Sequence, residues 1–171
     1  ITINSNRGIF KLLMLSSVIF LFQSFSLAQP ILPQRTVTVT ATQAIHFGTL
    51  CLNGTSGGTV TLGYNGVRTS PDIYLSPIAP VPQPAIFEIK LCEGRNIIIT
   101  YTPTITLTGN NGGTFTLDIG PTDKGVSGSS FAVNSDCNFI TPLRVGGTLH
   151  IPDYSPSGTY TGNFDITFEQ E

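Results

Sequence analysis

The sequence predicts an all-β fold, an antiparallel β-sandwich of about eight strands. Three observations carry this. Apolar and polar residues alternate with period two along most of the chain, as on strands with one buried and one wet face. Turn signals rich in Gly, Pro and Asn separate the alternating runs at short intervals. No stretch beyond residue 28 carries apolar residues at the 3.6-residue spacing of a helix.

The strands follow in order. Residues 36–47 open with threonines alternating with Val37, Val39 and Ala41, threonine being both β-branched and polar. Residues 58–64 and 67–75 flank Asn65-Gly66, a two-residue hairpin turn signal. Residues 85–91 place Phe87, Ile89 and Leu91 against Glu88 and Lys90. Pro77, Pro80, Pro82 and Pro84 exclude a central strand just before, because proline has no N–H for a ladder. Residues 96–107 and 114–120 are joined by the glycine- and asparagine-rich run 109–113. Residues 142–151 and 159–169 complete the set; in the last, Tyr160, Gly162, Phe164, Ile166 and Phe168 share one face. Residues 121–141 are expected as the one long irregular segment, a length that marks a functional or mobile loop.

The N-terminus has a different character. Arg7 and Lys11 precede an apolar run, Leu12 to Phe22, and small residues stand at Ser26 and Ala28. This is the layout of a secretory signal peptide cleaved between Ala28 and Gln29. Eleven apolar residues would span only about half of a bilayer as a helix. The expected organisation is therefore a cleaved signal, 1–28, and a single sandwich domain, 29–171, with no membrane attachment once the signal is removed. The remaining 143 residues carry six basic and ten acidic side chains, a formal charge of −4. The basic residues are scattered, which argues against nucleic acid and anionic membranes as partners.

Three cysteines in an exported domain meet an oxidising environment, and an odd number cannot all pair internally. If every consecutive strand reverses direction, Cys51 follows the first strand at one end, while Cys92 and Cys137 lie at the other. The need for α-carbons within about 7 Å then selects Cys92–Cys137 and leaves Cys51 as a free thiol. One parallel crossover would overturn that assignment.

Residues 54–58 match the nucleophile-elbow pattern G-x-S-x-G around Ser56, but a strand rather than a helix follows, so a flexible turn is expected. His46 and His150 fall within alternating runs as wet-face residues, not as general bases. Asp118, Asp123 and Asp136 are too widely spaced for a calcium loop. The reading is no catalytic residue, no metal site and no cofactor.

Four segments in order carry a resemblance. They are His46 to Leu50, Gly57 to Leu62, Arg144 to Leu149, and Pro156 to Phe168. Together they resemble an uncharacterised family of exported bacterial proteins, the domain of unknown function 4402, over nearly all of the chain after the signal. The Phe47-Gly48 pair and the closing run from Ser157 to Phe164 are also similar to spore-coat and pilin-like secreted subunits. That second resemblance implies an immunoglobulin-like, incomplete sandwich, completed by a strand from a neighbour. The segment 29–35, short and broken by Pro30 and Pro33, departs from a donor strand, unless Val37 to Ala41 is itself the donor. The expected function is an exported, non-catalytic structural or surface protein, with a fibre or coat subunit built by strand addition as its specific form. Its partners would be copies of itself or related subunits, in the periplasm, at the cell surface or outside the cell. The alternative is a free-standing ligand-binding sandwich.

Overall fold

A computed structural model describes residues 36–91, 96–134, 136 and 138–171. The all-β sandwich forms as expected, with every strand pair antiparallel and no helix among the described residues. The eleven-residue strand β11 (Thr141–Ile151) organises the larger sheet. One of its edges bonds β9 (Thr114–Thr122), with Leu149 opposite Leu117. Its other edge is shared end to end: β6 (Ala85–Leu91) pairs with its first half, and β3 (Gly58–Leu62) with its second. Gly146 sits at the hand-over between them, where a β-carbon would stand 2.4 Å from the Leu62 carbonyl oxygen. Only a glycine lets the two backbones approach so closely.

Outward from this centre, β1 (Val37–Gln43) bonds β6, β8 (Thr104–Gly109) bonds β9, β12 (Tyr160–Thr161) bonds β8, and β4 (Arg68–Thr69) bonds β3. The second sheet has β7 (Asn96–Tyr101) in the middle, flanked by β10 (Ser130–Ala132) and β13 (Ile166–Gln170). A two-stranded piece joins β2 (Leu50–Cys51) to β5 (Tyr74–Leu75). One continuous core lies between the sheets. Ile89, Leu143 and Val145 from the larger sheet and Ile97 and Ile99 from the smaller are fully buried. Thr104, Thr106 and Thr108 of β8 and Thr114 and Thr116 of β9 stand on the opposite, solvent face.

Among the described residues thirteen strands form rather than about eight, and the reasons are local. Ser70 and Pro71 break the run 67–75: the Ser70 hydroxyl bonds the Thr59 carbonyl and accepts the Ile73 N–H, folding the chain into a turn between β4 and β5. The runs 96–107 and 159–169 each leave one sheet for the other partway along, at Thr102–Pro103 and at residues 162–165. The run 36–47 ends as a strand at Gln43, beyond a bulge at Thr42, and continues to a single bridge between His46 and Gln83. Sandwich corners are commonly made by strands that switch sheets through such bends.

The expected long loop 121–141 is likewise corrected. β9 runs on to Thr122 through a bulge at Gly120 and Pro121, and β10 forms within the segment. The bulge reverses the burial phase, Phe115, Leu117 and Ile119 being buried before it and Thr122 after it. Gly120 takes φ +93°, and a β-carbon there would meet the Tyr101 hydroxyl at 2.5 Å.

The burial pattern sets a first prediction. Leu143→Ala should lower unfolding free energy by about 2–5 kcal/mol in urea titration, while Thr106→Ala on the wet face should change it by less than about 0.5 kcal/mol. Equal costs at the two positions would contradict the assigned core.

Candidate functional site

The two sheets do not cover each other fully. An open groove of about 1200 Å³ reaches the inner face of the larger sheet, where Phe87, Leu107, Phe115, Leu117 and Leu149 form its floor. One wall is the end of β1 and the segment after it, residues 41–52, and the other is 155–164, the chain entering β13. Seven of the twelve apolar residues that pack on the core while remaining half-exposed line this groove, Ile45, Ile105 and Phe164 among them. None of its lining residues is Asp, Glu, Lys or Arg.

Each wall is braced. Arg68 Nη1 donates to the carbonyls of Phe47 and Thr49, and Nη2 to Ser76 at 2.8 Å, so one guanidinium ties the rim to the β5 turn. His46 exchanges backbone bonds with Gln83 at 2.8 Å, and its Nδ1 accepts the Gly48 N–H at 2.8 Å. That bond puts its ring to structural use, with Nδ1 as the acceptor. On the other wall, Tyr160 stacks on Phe115 with centroids 3.5 Å apart, and its hydroxyl donates to the Pro156 carbonyl. Phe164 meets the Phe87 ring edge-on at 6.2 Å.

Beside the groove runs β13. Its register on β7 pairs Thr167 with Thr100 and Glu169 with Ile98, and the Glu171 N–H donates to Asn96 O. Antiparallel ladders alternate bonded and non-bonded pairs, so the N–H groups of residues 167, 169 and 171 face β7. Those of Ile166, Phe168 and Gln170 therefore point the other way, to an edge with no strand on it among the described residues. The inward side chains Ile166 and Phe168 stay half-exposed for the same reason. The Gln170 side-chain nitrogen is buried without a hydrogen-bond partner. The order β1-β6-β11-β9 is that of strands A-B-E-D in an immunoglobulin-type sandwich, with β7 and β13 at C and F.

The residues singled out in the sequence are dispersed. Ser56 lies in the exposed turn before β3, where the next residue, Gly57, donates its N–H to Asp153 Oδ1 at 2.7 Å. That bond makes the turn a brace between β3 and the end of β11. His150 stands on the outer face with Nε2 2.8 Å from Asp118 Oδ2, while Thr104 donates to Asp118 Oδ1 at 2.7 Å. Asp123 accepts the Arg144 N–H at 2.8 Å and lies 3.4 Å from the Lys124 ammonium. Asp136 caps its own turn by accepting from Asn138. Cys51 is an exposed free thiol on the groove wall. Cys92 and Cys137, with the Ala28–Gln29 cleavage position, lie outside the described residues. The groove was not legible in sequence; its only trace is the uncharged stretch between Arg35 and Arg68.

Two predictions follow from these contacts. The Thr104 hydroxyl, then His150, hold the Asp118 carboxyl below its ordinary value. A carboxylate with a depressed folded pKa stabilises fully above the unfolded pKa and ceases to do so as pH falls through the folded one. Thermal melts should show Asp118→Asn as destabilising at neutral pH, with the gap to wild type closing as acid passes below the ordinary carboxylate range; a constant gap would contradict this. Arg68→Met removes the guanidinium donor from the Phe47 and Ser76 carbonyls and one of two donors from Thr49, which should cost about 1–3 kcal/mol in urea titration. An unchanged midpoint would remove Arg68 as the brace.

None of the curated proteins and none of the solved structures matches the chain. A family model does match, over residues 37–169, which takes in every strand but the last residue of β13. The chain belongs to the DUF4402 family, a domain of unknown function.

Proposed function

We propose that this protein is an exported, non-catalytic surface or coat subunit that takes an extended segment of another chain onto the free edge of β13. One observation carries the reading: the N–H groups of Ile166, Phe168 and Gln170 face an edge with no strand on it among the described residues, and the Phe168 ring of that strand lies 6.1 Å from Phe87 on the floor of the uncharged apolar groove. Strand addition uses those two features together, main-chain bonds for affinity and pockets for alternate side chains. An open edge next to half-exposed core residues is otherwise a liability that folds tend to block. Export rests on the pattern of residues 1–28, with a mature N-terminus at Gln29. The oxidising exterior suits the cysteine content.

A second reading, a ligand-binding sandwich, is favoured by the cavity volume of about 1200 Å³. An apolar small molecule would fill the floor but leave the β13 edge unbonded, so the two readings differ in assembly state. Light scattering across a concentration series should show growing oligomers of the mature chain. Phe164→Asp, which puts a charge in the groove wall, should remain monomeric with unchanged far-ultraviolet circular dichroism. A wild-type chain that stays monomeric at all concentrations and with every partner subunit would contradict strand addition.

A further inference from the structure

Independently of the β13 edge, we infer that one end of the sandwich binds a neutral polysaccharide chain, with Tyr154 and Tyr74 as its stacking platforms. Four connections meet at that end. β11 runs out there into residues 152–159, and β3 enters from residues 52–57. β4 reaches β5 through residues 70–73, and β8 turns into β9 at residues 110–113. The two most exposed tyrosines of the described residues stand here, Tyr154 at 79% and Tyr74 at 65%.

Tyr154 is held against its own preference. Its φ is +57°, and no other residue except glycine has a positive φ among the described residues. A bulky side chain disfavours that region, which glycine enters freely. Such strain persists only where the surroundings impose it. The Tyr154 N–H donates to the Thr55 carbonyl at 2.8 Å, beside the bond from Gly57 N–H to Asp153. On the other side, Asn111 Nδ2 donates to the Ser157 carbonyl at 2.8 Å, and the Thr159 N–H donates to Asn110 Oδ1 at 3.0 Å. The loop is thus pinned from both flanks while the ring at its tip stands in water. A ring so exposed adds little to the core, so strain and exposure together point to an external partner. Tyr74 lies opposite Cys51, both exposed, while Leu50 and Leu75 pack inward. Residues 51–55 therefore connect the two tyrosines, a reach of at most about 13 Å.

The chemistry of the ligand follows from what else this end presents. Asn53, Thr55 and Ser56, between the tyrosines, are exposed, and their side chains make no hydrogen bond among the described residues. One amide and two hydroxyls offer both donors and acceptors. The four connections contain Asp72 and Asp153 but no Lys or Arg, which disfavours an anionic ligand. The exposed aliphatic side chains Val67, Ile78, Val81, Val126 and Ile140 all lie elsewhere, so the apolar centre of a protein interface is missing. A sugar ring has an apolar C–H face and a rim of uncharged hydroxyls. Tyrosine covers the first at low entropic cost, and asparagine, serine and threonine bond the second.

Affinity electrophoresis of the full chain tests this, in native gels cast with hydroxyethyl cellulose, galactomannan or glycogen, and with alginate as a polyanion. At least one neutral polymer should slow the wild type relative to a non-binding marker, and alginate should not. Against that polymer, Tyr154→Gly and Tyr74→Ala should each weaken retention about tenfold, as loss of an interface anchor does. Tyr64→Ala, which removes an exposed ring beyond the opposite end of β3, should leave retention unchanged. Tyr154→Gly should also melt no lower than wild type, because glycine takes the same φ without strain. A purely structural tyrosine would give the reverse, a lower melt. The inference is overturned if no neutral polymer slows the wild type, if alginate slows it equally, or if Tyr154→Gly is retained like wild type or melts lower. None of these readouts depends on assembly at β13, so either proposal can fail alone.

Discussion

Every N–H and C=O that a strand turns sideways needs a partner, and among the described residues β13 has a neighbour in the smaller sheet on one side alone. The remaining architecture is arranged around that fact. β11 satisfies both of its edges by taking β9 on one and two shorter strands, end to end, on the other. Its inward side chains Leu143, Val145, Leu149 and Ile151 are accordingly buried. β13 sits at the opposite extreme, with its inward side chains half-exposed. The contrast between a saturated centre and an unsaturated margin is what makes the groove a site rather than a packing defect.

The groove is framed by segments that change sheets. The chain before β13 crosses from the larger sheet to the smaller, the chain after β1 leaves the larger sheet for the β2–β5 pair, and they form its two walls. Crossing segments have few ladder bonds, so their position depends on side chains. Arg68 and His46 supply that on one wall, and the Tyr160–Phe115 stack on the other. The only charged group among these braces points its guanidinium into backbone carbonyls rather than into the groove. The groove thereby stays uncharged while its rim is held by charge-assisted hydrogen bonds.

The same crossings explain what the sequence did and did not disclose. Period-two alternation located every long strand, and the all-β sandwich followed from it. Alternation does not break when a strand switches sheets. Ile97, Ile99 and Tyr101 continue in phase to Ile105 and Leu107 across Pro103, and Tyr160 continues through Phe164 to Ile166 and Phe168. Periodicity therefore reads each pair of strands as one. Where a bulge does shift the phase, at Gly120 and Pro121, the signal was lost early and the run to Thr122 was read as loop. The groove was hidden for a different reason. It is assembled from residues 41–52, 87, 105–117 and 149–164, brought together only by the order of strands across two sheets, which no local pattern encodes.

The central claim is that the outward edge of β13 is open in the single copy and bonded in the working state. Amide hydrogen exchange, read residue by residue, addresses it directly. In the dilute protein, Thr167, Glu169 and Glu171 should exchange slowly and Ile166, Phe168 and Gln170 fast; in the assembled protein all six should be slow. Slow exchange at Ile166, Phe168 and Gln170 in the dilute protein, or fast exchange there after assembly, would contradict the account.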